Sequence, residues 1–367
     1  MGAFREPAGR GRIDTMRVAV TGGTGFIGSH SVAALKAAGH RVRVFVRSPG
    51  KLQRALAPHG LSRADVEVTL GDITDPDAVK RALDGADAVL HGAPIFSLDP
   101  NDEREMARVN PESTDLILRT GRELGLDPIV YISTAGVFLP ASTQNITGAG
   151  PLGEGHGPYT RSKVAAERIA RRHQEEGGPV AIVYPGVVLG PHDPNERLSD
   201  SMASISNLVK GRVPALPRPC PLTVVDVRDV AALNAAAMTP GRGARHYLMC
   251  GERVDVADVA RDVARLTGRR LTIWPAPKAA LAWSGRLFDW LSLRTGRKMP
   301  LDAESLSMML SASEHPELSF DQSPANADFG LPKTPLEQTL RDMVRWLCEA
   351  GHISARQAGM LADTRSG

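Results

Sequence analysis

The chain has 367 residues, 42% of them apolar and 23% charged, enough to bury a sizeable core in one large domain or two intimate ones. Forty-four Lys and Arg against 41 Asp and Glu leave a net charge of +3, which argues against a nucleic-acid surface. The three cysteines, Cys220, Cys250 and Cys348, are widely spaced and odd in number, so they give neither a disulfide framework nor metal spacing; a reducing cytoplasm suits them, and no apolar run is long enough to span a membrane.

Residues 1–15 are polar, glycine-rich and basic, lack the apolar core of a signal peptide, and are expected to form a disordered tail. Val18, Ala19 and Val20 then make a short apolar run suited to a buried parallel strand. Ile27, Val32 and Leu35 resume at helical spacing until Gly39. Between strand and helix, Gly22, Gly25 and Gly28 stand three apart, with Thr24, Phe26 and Ile27 filling the turn. Glycines let the chain turn sharply and bring N–H groups against a pyrophosphate at the positive end of the helix, so this stretch reads as a dinucleotide site. The second strand, Val42 to Val46, ends at Arg47. An NAD site places a carboxylate about twenty residues past the glycines, against the adenosine ribose; an arginine there pairs instead with a 2′-phosphate. Arg47, with Lys51 as a second cation, therefore favours NADP over NAD.

The third strand, Val66 to Leu70, runs into Gly71, Asp72 and Ile73, and Asp75 with Pro76 caps the helix that follows. Asp72 and Ile73 stand at a strand's C-terminal edge, where open parallel sheets bind ligands, and either flank the adenine or belong to a plain loop. The fourth strand, Ala88 to His91, is followed by the small residues Gly92 and Ala93, which let a cofactor approach. His91 reads as a packed strand residue, and no His, Cys or acidic group has metal-ligand spacing, so no metal is expected. In the next helix Pro111 denies the Ala107 carbonyl its partner, which predicts a kink or restart with Asn110 capping the second half and room for an ordered water. The fifth strand, Ile129 to Ile132, ends at Ser133, Thr134 and Ala135.

The chemistry lies in Tyr159 and Lys163, four apart and so on one face of a helix. A free phenol is a poor base at neutral pH; an ammonium held close favours the phenolate and makes proton exchange feasible. Residues 191–221 are rich in proline and polar groups. Val224 to Asp226 returns as a short strand, with Asp226 and Asp229 as capping and hinge residues, and His246 to Met249 adds another strand. Val256, Val259, Ala260 and Val263 form a helical stripe, and Leu271 to Trp274 reads as a strand. The segment Ala279 to Leu293 carries Trp283, Phe288 and Trp290, which suit either a hydrophobic substrate or a plain core. With Arg286, Arg294, Arg297 and Lys298 beside them, a peripheral membrane contact is a third reading. Thr334 to Glu337 has the form of a capping box, Leu336 to Leu347 an amphipathic helix, and 351–367 a mobile tail.

Taken together, these motifs resemble the extended short-chain dehydrogenase/reductases, the family of sugar-nucleotide epimerases, dihydroflavonol reductases and 3β-hydroxysteroid dehydrogenases, over about Met16 to Gly351. The resemblance is carried by Thr21 to Gly28, Gly71-Asp72-Ile73, Val109-Asn110, Ser133-Thr134-Ala135, the Tyr159 and Lys163 pair, and Tyr184 to Pro191. It implies an α/β fold: a Rossmann-type doubly wound parallel sheet with a smaller C-terminal α/β lobe. Residues 16–190 and 222–250 would form the dinucleotide domain, and 191–221 with 251–350 the substrate lobe. It further implies Tyr159 as general acid/base, Lys163 as the cation on the nicotinamide ribose, and Thr134 or its neighbour Ser133 as the hydroxyl on the substrate oxygen. Asn110 would support a relay water, and the turn through Pro185 and Val187 would pass near the nicotinamide. Members often pair as homodimers through the helices of the fourth and fifth crossovers. The sequence departs from the family at Thr134, where serine is more frequent, and at Pro111 after the asparagine; Ala135-Gly136 lacks the acidic pair of the sugar dehydratases. The expected activity is NADP(H)-dependent interconversion of a carbonyl and a secondary alcohol on a hydrophobic small molecule. An NAD-dependent steroid dehydrogenase or sugar-nucleotide epimerase, and a non-catalytic dinucleotide sensor, are the alternatives.

Overall fold

The computed structural model describes residues 15–92, 103–213, 215–281, 283–285, 294 and 303–362. Seven parallel strands form the main sheet: β1 (Arg17–Thr21), β2 (Arg41–Val46), β3 (Glu67–Leu70), β4 (Ala88–His91), β5 (Ile129–Ile132), β6 (Val180–Pro185) and, later in the chain, Arg245–Met249. A second sheet joins β7 (Val187–Leu189), β8 (Pro221–Asp226) and β10 (Glu252–Asp255), which leaves Arg245–Met249 as β9. The main sheet runs in the order β9-β6-β5-β4-β1-β2-β3. This is the doubly wound α/β arrangement the sequence implied.

Apolar residues at successive strand positions explain the layering, because neighbouring side chains point to opposite faces and both faces are covered. Val18, Val20, Val44, Leu90, Val130 and Val183 belong to a core shared with α1 (Phe26–Ala37) and a helix near the end of the Rossmann part, Val227–Ala236. Ala19, Phe45, Val89, Ile129, Tyr131 and Ile182 belong to the opposite core. That face is covered by α3 (Pro76–Leu83), α4 (Glu103–Glu123) and α5 (Pro158–Glu175); α2 (Pro49–Leu56) connects β2 to β3. The first core continues into α6 (Asp200–Val209), α7 (the helix Val227–Ala236), α8 (Val256–Thr267) and the later helix Leu336–Glu349, so no apolar boundary separates the sheet from the C-terminal part. Strand order reverses between β1 and β4, which opens a crevice at their C-terminal ends.

Several local expectations are corrected. Helix α4 runs unbroken through Pro111, so the restart expected as one alternative does not occur and Asn110 does not cap a second half. Its buried face, Met106, Val109, Asn110, Ser113, Ile117 and Leu118, packs on α5 and α3, and this packing outweighs one lost backbone bond. Thr334 forms no capping box: its N–H and hydroxyl both donate to the Asp229 carboxylate, at 2.8 and 2.7 Å, and Pro335 occupies the helix N-cap. Of the strand expected at Leu271 to Trp274, only Trp274–Pro275 pairs, with Ala215–Leu216. The tail expected to be mobile from 351 is folded through its described part. After α9 (Ala303–Glu314), α10 (Ser323–Phe329) and α11 (Leu336–Glu349), Ser354 caps α12 (Ala355–Ala358), and Ile353, Ala358 and Leu361 enter the first core. Those three side chains make the segment an amphipathic extension of the core, which local polarity concealed. Ala93, Phe288, Trp290, Arg286, Arg297 and Lys298, with residues 1–14, lie outside the described residues.

Candidate active site

The turn after β1 accepts only glycine at its tightest points. Gly22 has φ +77°, a conformation side chains rarely adopt, and a Cβ on Gly28 would lie 2.0 Å from the Gly22 carbonyl oxygen. The Gly25 N–H donates back to that same carbonyl at 2.9 Å. No side chain caps α1, whose N-cap is Gly25, so the N–H groups of its first turn are left for an anion. The residues present therefore fit a pyrophosphate. Phe26 is buried and Ile27 packs on the core beside the loop, while Thr24 stays half-exposed.

At the crevice's outer end, Arg47 follows β2 and Lys51 lies in α2, both exposed. The Asp72 carboxyl is held below its usual range by the N–H (2.9 Å) and hydroxyl (2.7 Å) of Thr74, with smaller contributions from the charges of Arg47 and Arg108. Arg47, Asp72 and Arg108 are thus electrostatic neighbours. Sequence reasoning did not reach Arg108, because nothing local shows which residue of α4 faces the end of β3. Ile73 is half-buried and packs on the second core.

Tyr159 sits half-buried in the first turn of α5, which opens with Gly157 as N-cap and Pro158 at the first helical position. One turn on, Lys163 is 1% exposed. Its Nζ donates to the Tyr131 hydroxyl and to the Ile132 carbonyl, each at 3.0 Å, so both bonds lead to β5 rather than to Tyr159. Burial pushes the ammonium down to about 8, and the Glu167 carboxylate works in the opposite direction. Burial likewise raises the Tyr131 phenol well above its usual value, with Glu167 and Tyr159 adding to the effect.

The two candidate hydroxyls differ in surroundings. Thr134 Oγ1 accepts from the Gly136 N–H at 3.2 Å and caps a short 3₁₀ turn, Ala135–Phe138, which leaves its own proton free to donate. Ser133 Oγ is buried with no hydrogen-bond partner among the described residues. Asn110 is buried too, and its Nδ2 donates to Ser162 Oγ at 3.0 Å; that hydroxyl donates to the Tyr159 carbonyl at 2.7 Å. Asn110 thus fastens α4 to the first turn of α5. Its carbonyl accepts from Thr114 Oγ1 at 2.8 Å. Pro185 ends β6 beside Met249, and Val187 opens β7 beside Val224. Gly186 between them has no room for a Cβ, which would meet the Thr223 carbonyl oxygen at 2.7 Å. Among the described residues no cluster of three or more His, Cys, Asp or Glu could hold a metal ion, and no helix is long and apolar enough to cross a membrane.

Residues 18–250 match the NAD dependent epimerase/dehydratase family. A Synechocystis sp. protein whose name, dihydroflavonol 4-reductase, is itself provisional is 27% identical over 351 residues, covering 92% of this chain and 96% of the relative. A 3 beta-hydroxysteroid dehydrogenase/Delta 5-->4-isomerase of Mycobacterium tuberculosis is 29% identical over 304 residues, 78% of each chain. A UDP-glucose-4-epimerase from Stenotrophomonas maltophila, solved with bound NAD and formylated UDP-arabinopyranose, superposes with a TM-score of 0.70 at 19% identity, covering 92% of this chain and all of that one. With the glycine turn at the strand-order reversal and a family match spanning most of the sheet, this chain belongs to the NAD dependent epimerase/dehydratase family, the extended short-chain dehydrogenase/reductases, and is an enzyme of oxidoreductase type.

Proposed function

We propose that the protein is an NADP(H)-dependent oxidoreductase that interconverts a carbonyl and a secondary alcohol on a hydrophobic small molecule. The observation that carries this reading is the Tyr159 and Lys163 pair, one helical turn apart at the start of α5, with Lys163 Nζ bound at the end of β5, the strand next to β4, whose end borders the crevice. The backbone of Gly22 to Gly28 would hold the pyrophosphate, with Asp72 and Ile73 at the adenine, Arg47 and Lys51 at the 2′-phosphate, and Pro185 and Val187 beside the nicotinamide. When bound, the nicotinamide supplies or accepts the hydride.

Every other step belongs to the chain. Tyr159 donates its phenolic proton to the carbonyl oxygen, or takes the alcohol proton in the reverse direction. Lys163, charged below about pH 8, favours the phenolate this leaves. Thr134, whose proton is free, or Ser133 would hold the substrate oxygen where negative charge develops. Residues 191–221 and 251–350 would form the substrate lobe. The exposed Trp274 and Trp283, and relatives named for a flavonoid and a steroid, support an apolar substrate.

The test is a panel of ketones and aldehydes with NADPH, read at the nicotinamide absorbance, in wild type and Tyr159→Phe. The variant is expected to keep its NADPH affinity and to lose about 10²-fold or more in turnover. Unchanged turnover rejects the role given to Tyr159, and cofactor binding with no turnover on any substrate favours a dinucleotide sensor.

A further inference from the structure

Lys163 is held by a residue that no motif pointed to. The Tyr131 oxygen accepts from Nζ at 3.0 Å, and Nζ stands 4.7 Å from the centre of the Tyr131 ring. That ring is fixed in turn: it is 1% exposed and stacks on His91 of β4, with centroids 5.6 Å apart and planes inclined by 22°. His91 is engaged at both nitrogens, Nδ1 with Thr21 Oγ1 at 2.8 Å and Nε2 with Thr114 Oγ1 at 3.3 Å. Because Thr114 gives its own proton to the Asn110 carbonyl, it accepts from His91 Nε2–H, and Nδ1 accepts from Thr21. An unbroken line of side chains therefore runs from Thr21, the residue before the phosphate turn, through His91 and Tyr131 to Lys163.

We propose that Tyr131 is a positioning residue: its hydroxyl sets where the Lys163 ammonium stands at the C-terminal edge of the sheet, and through His91 and Thr21 it ties that position to the seating of the phosphate turn. The functional importance of this rests on the reading of Lys163 as the cation beside the nicotinamide ribose. A phenol suits the task because it both accepts and donates. It takes a hydrogen bond from the ammonium, and it can turn its own proton toward the amine once the charge is gone. The ionisable groups around Lys163 are Glu167 and Tyr159 on its own helix, Tyr131 on β5 and His91 on β4. Burial keeps the last two neutral, so Glu167 is the charge that opposes desolvation of the lysine.

The test reads the lysine directly. Protein carrying ¹³C at lysine Cε is titrated without nucleotide, and the Lys163 signal is identified by its loss in Lys163→Arg. Wild type is expected to titrate near 8. Tyr131→Phe, which keeps the ring and its stacking, is expected to titrate about one unit or more lower, since the ammonium loses one of its two acceptors. Thr21→Val, which removes the hydroxyl fixing His91, is expected to move the midpoint the same way by less. NADPH titrated by fluorescence into wild type and Tyr131→Phe should begin to weaken, as pH rises, about one unit earlier in the variant. A wild-type midpoint at the ordinary 10.5, or no change in Tyr131→Phe, overturns the proposal. No movement in Thr21→Val overturns the link to the phosphate turn. If wild type binds neither NADPH nor NADH while the lysine midpoints shift as expected, the dinucleotide reading falls and the hold of Tyr131 on Lys163 stands.

Discussion

The proposed choice of NADP over NAD turns on Arg47, one side chain at a strand end. It is exposed, so its charge is well hydrated and contributes little to folding, and it helps hold the Asp72 carboxyl below its usual range. A 2′-phosphate arriving there would meet the Asp72 carboxylate, whose repulsion Arg47 and Arg108 offset. Arg47→Ala is therefore expected to weaken NADPH binding by about tenfold or more, the worth of a charge-assisted hydrogen bond, and to change NADH binding less than twofold. Fluorescence titrations with both nucleotides check this; equal losses for the two would mean that Arg47 contacts a group they share. The glycine turn was legible because it acts through local chemistry, a turn that excludes Cβ, and Arg47 could be proposed from its place at a strand end alone. The surroundings of Tyr131 and Arg108 were not legible, because they depend on neighbours distant in the chain.

The fourth helix shows the competition at the scale of an element. Proline within a helix forfeits one backbone bond and crowds the preceding turn, at a cost of about 3 kcal/mol. Yet α4 remains one helix of 21 residues, because half its length is buried against α3 and α5. Since the helix already runs unbroken through this position, Pro111→Ala restores the donor to the Ala107 carbonyl. It is expected to stabilise the protein by on the order of 1–2 kcal/mol, the gain being trimmed by the freer unfolded chain. A higher midpoint in urea with an unchanged slope is the expected result; a lower midpoint would show that the proline ring is needed for packing. The pairing of Asn110 with Ser162 also belongs here, since it fixes α4 to the turn that carries Tyr159. The expected capping box at Thr334 failed for a similar reason: Asp229, distant in sequence, claims both of its polar groups.

Across the whole molecule, buried and half-buried histidines held neutral tie separate segments together. His30 on α1 meets His59 with ring centroids 4.4 Å apart, His192 lies 6.0 Å from His59, and His30 Nε2 donates to the Pro191 carbonyl at 3.0 Å. His192 itself has φ +64° in the corner where the chain leaves β7. Burial pushes His30 down to about 3, with His59 the next contribution, and His59 down to about 4, with His192 next. Burial also brings His91 to about 3 and His246 to about 4. In the unfolded chain these groups take up a proton near 6.5, so below that pH the unfolded state binds more protons than the folded one. Their contribution is fully present above about pH 6.5 and is lost as pH falls from there, through about 4 for His59 and His246 and about 3 for His30 and His91. The melting temperature is expected to fall only slightly between pH 8 and 7, where Lys163 regains its proton, and more steeply between 6.5 and 5, where carboxylates scarcely titrate. A level melting temperature down to pH 5 would contradict it.

The sequence by itself determined the succession of parallel strands and helices, the glycine turn and the Tyr159 and Lys163 spacing, because periodicity, turn sterics and helical pitch act within a few residues of chain. The sheet order, the continuity of α4, the folded segment after 351 and the partners of Lys163 were decided only by tertiary structure. Tyr131 and Lys163 are 32 residues apart, and their bond exists because β5 and α5 pack so that a charge withdrawn from water meets a phenol and a carbonyl. Local pattern fixes which way a side chain faces; what it meets there depends on segments that only folding brings together.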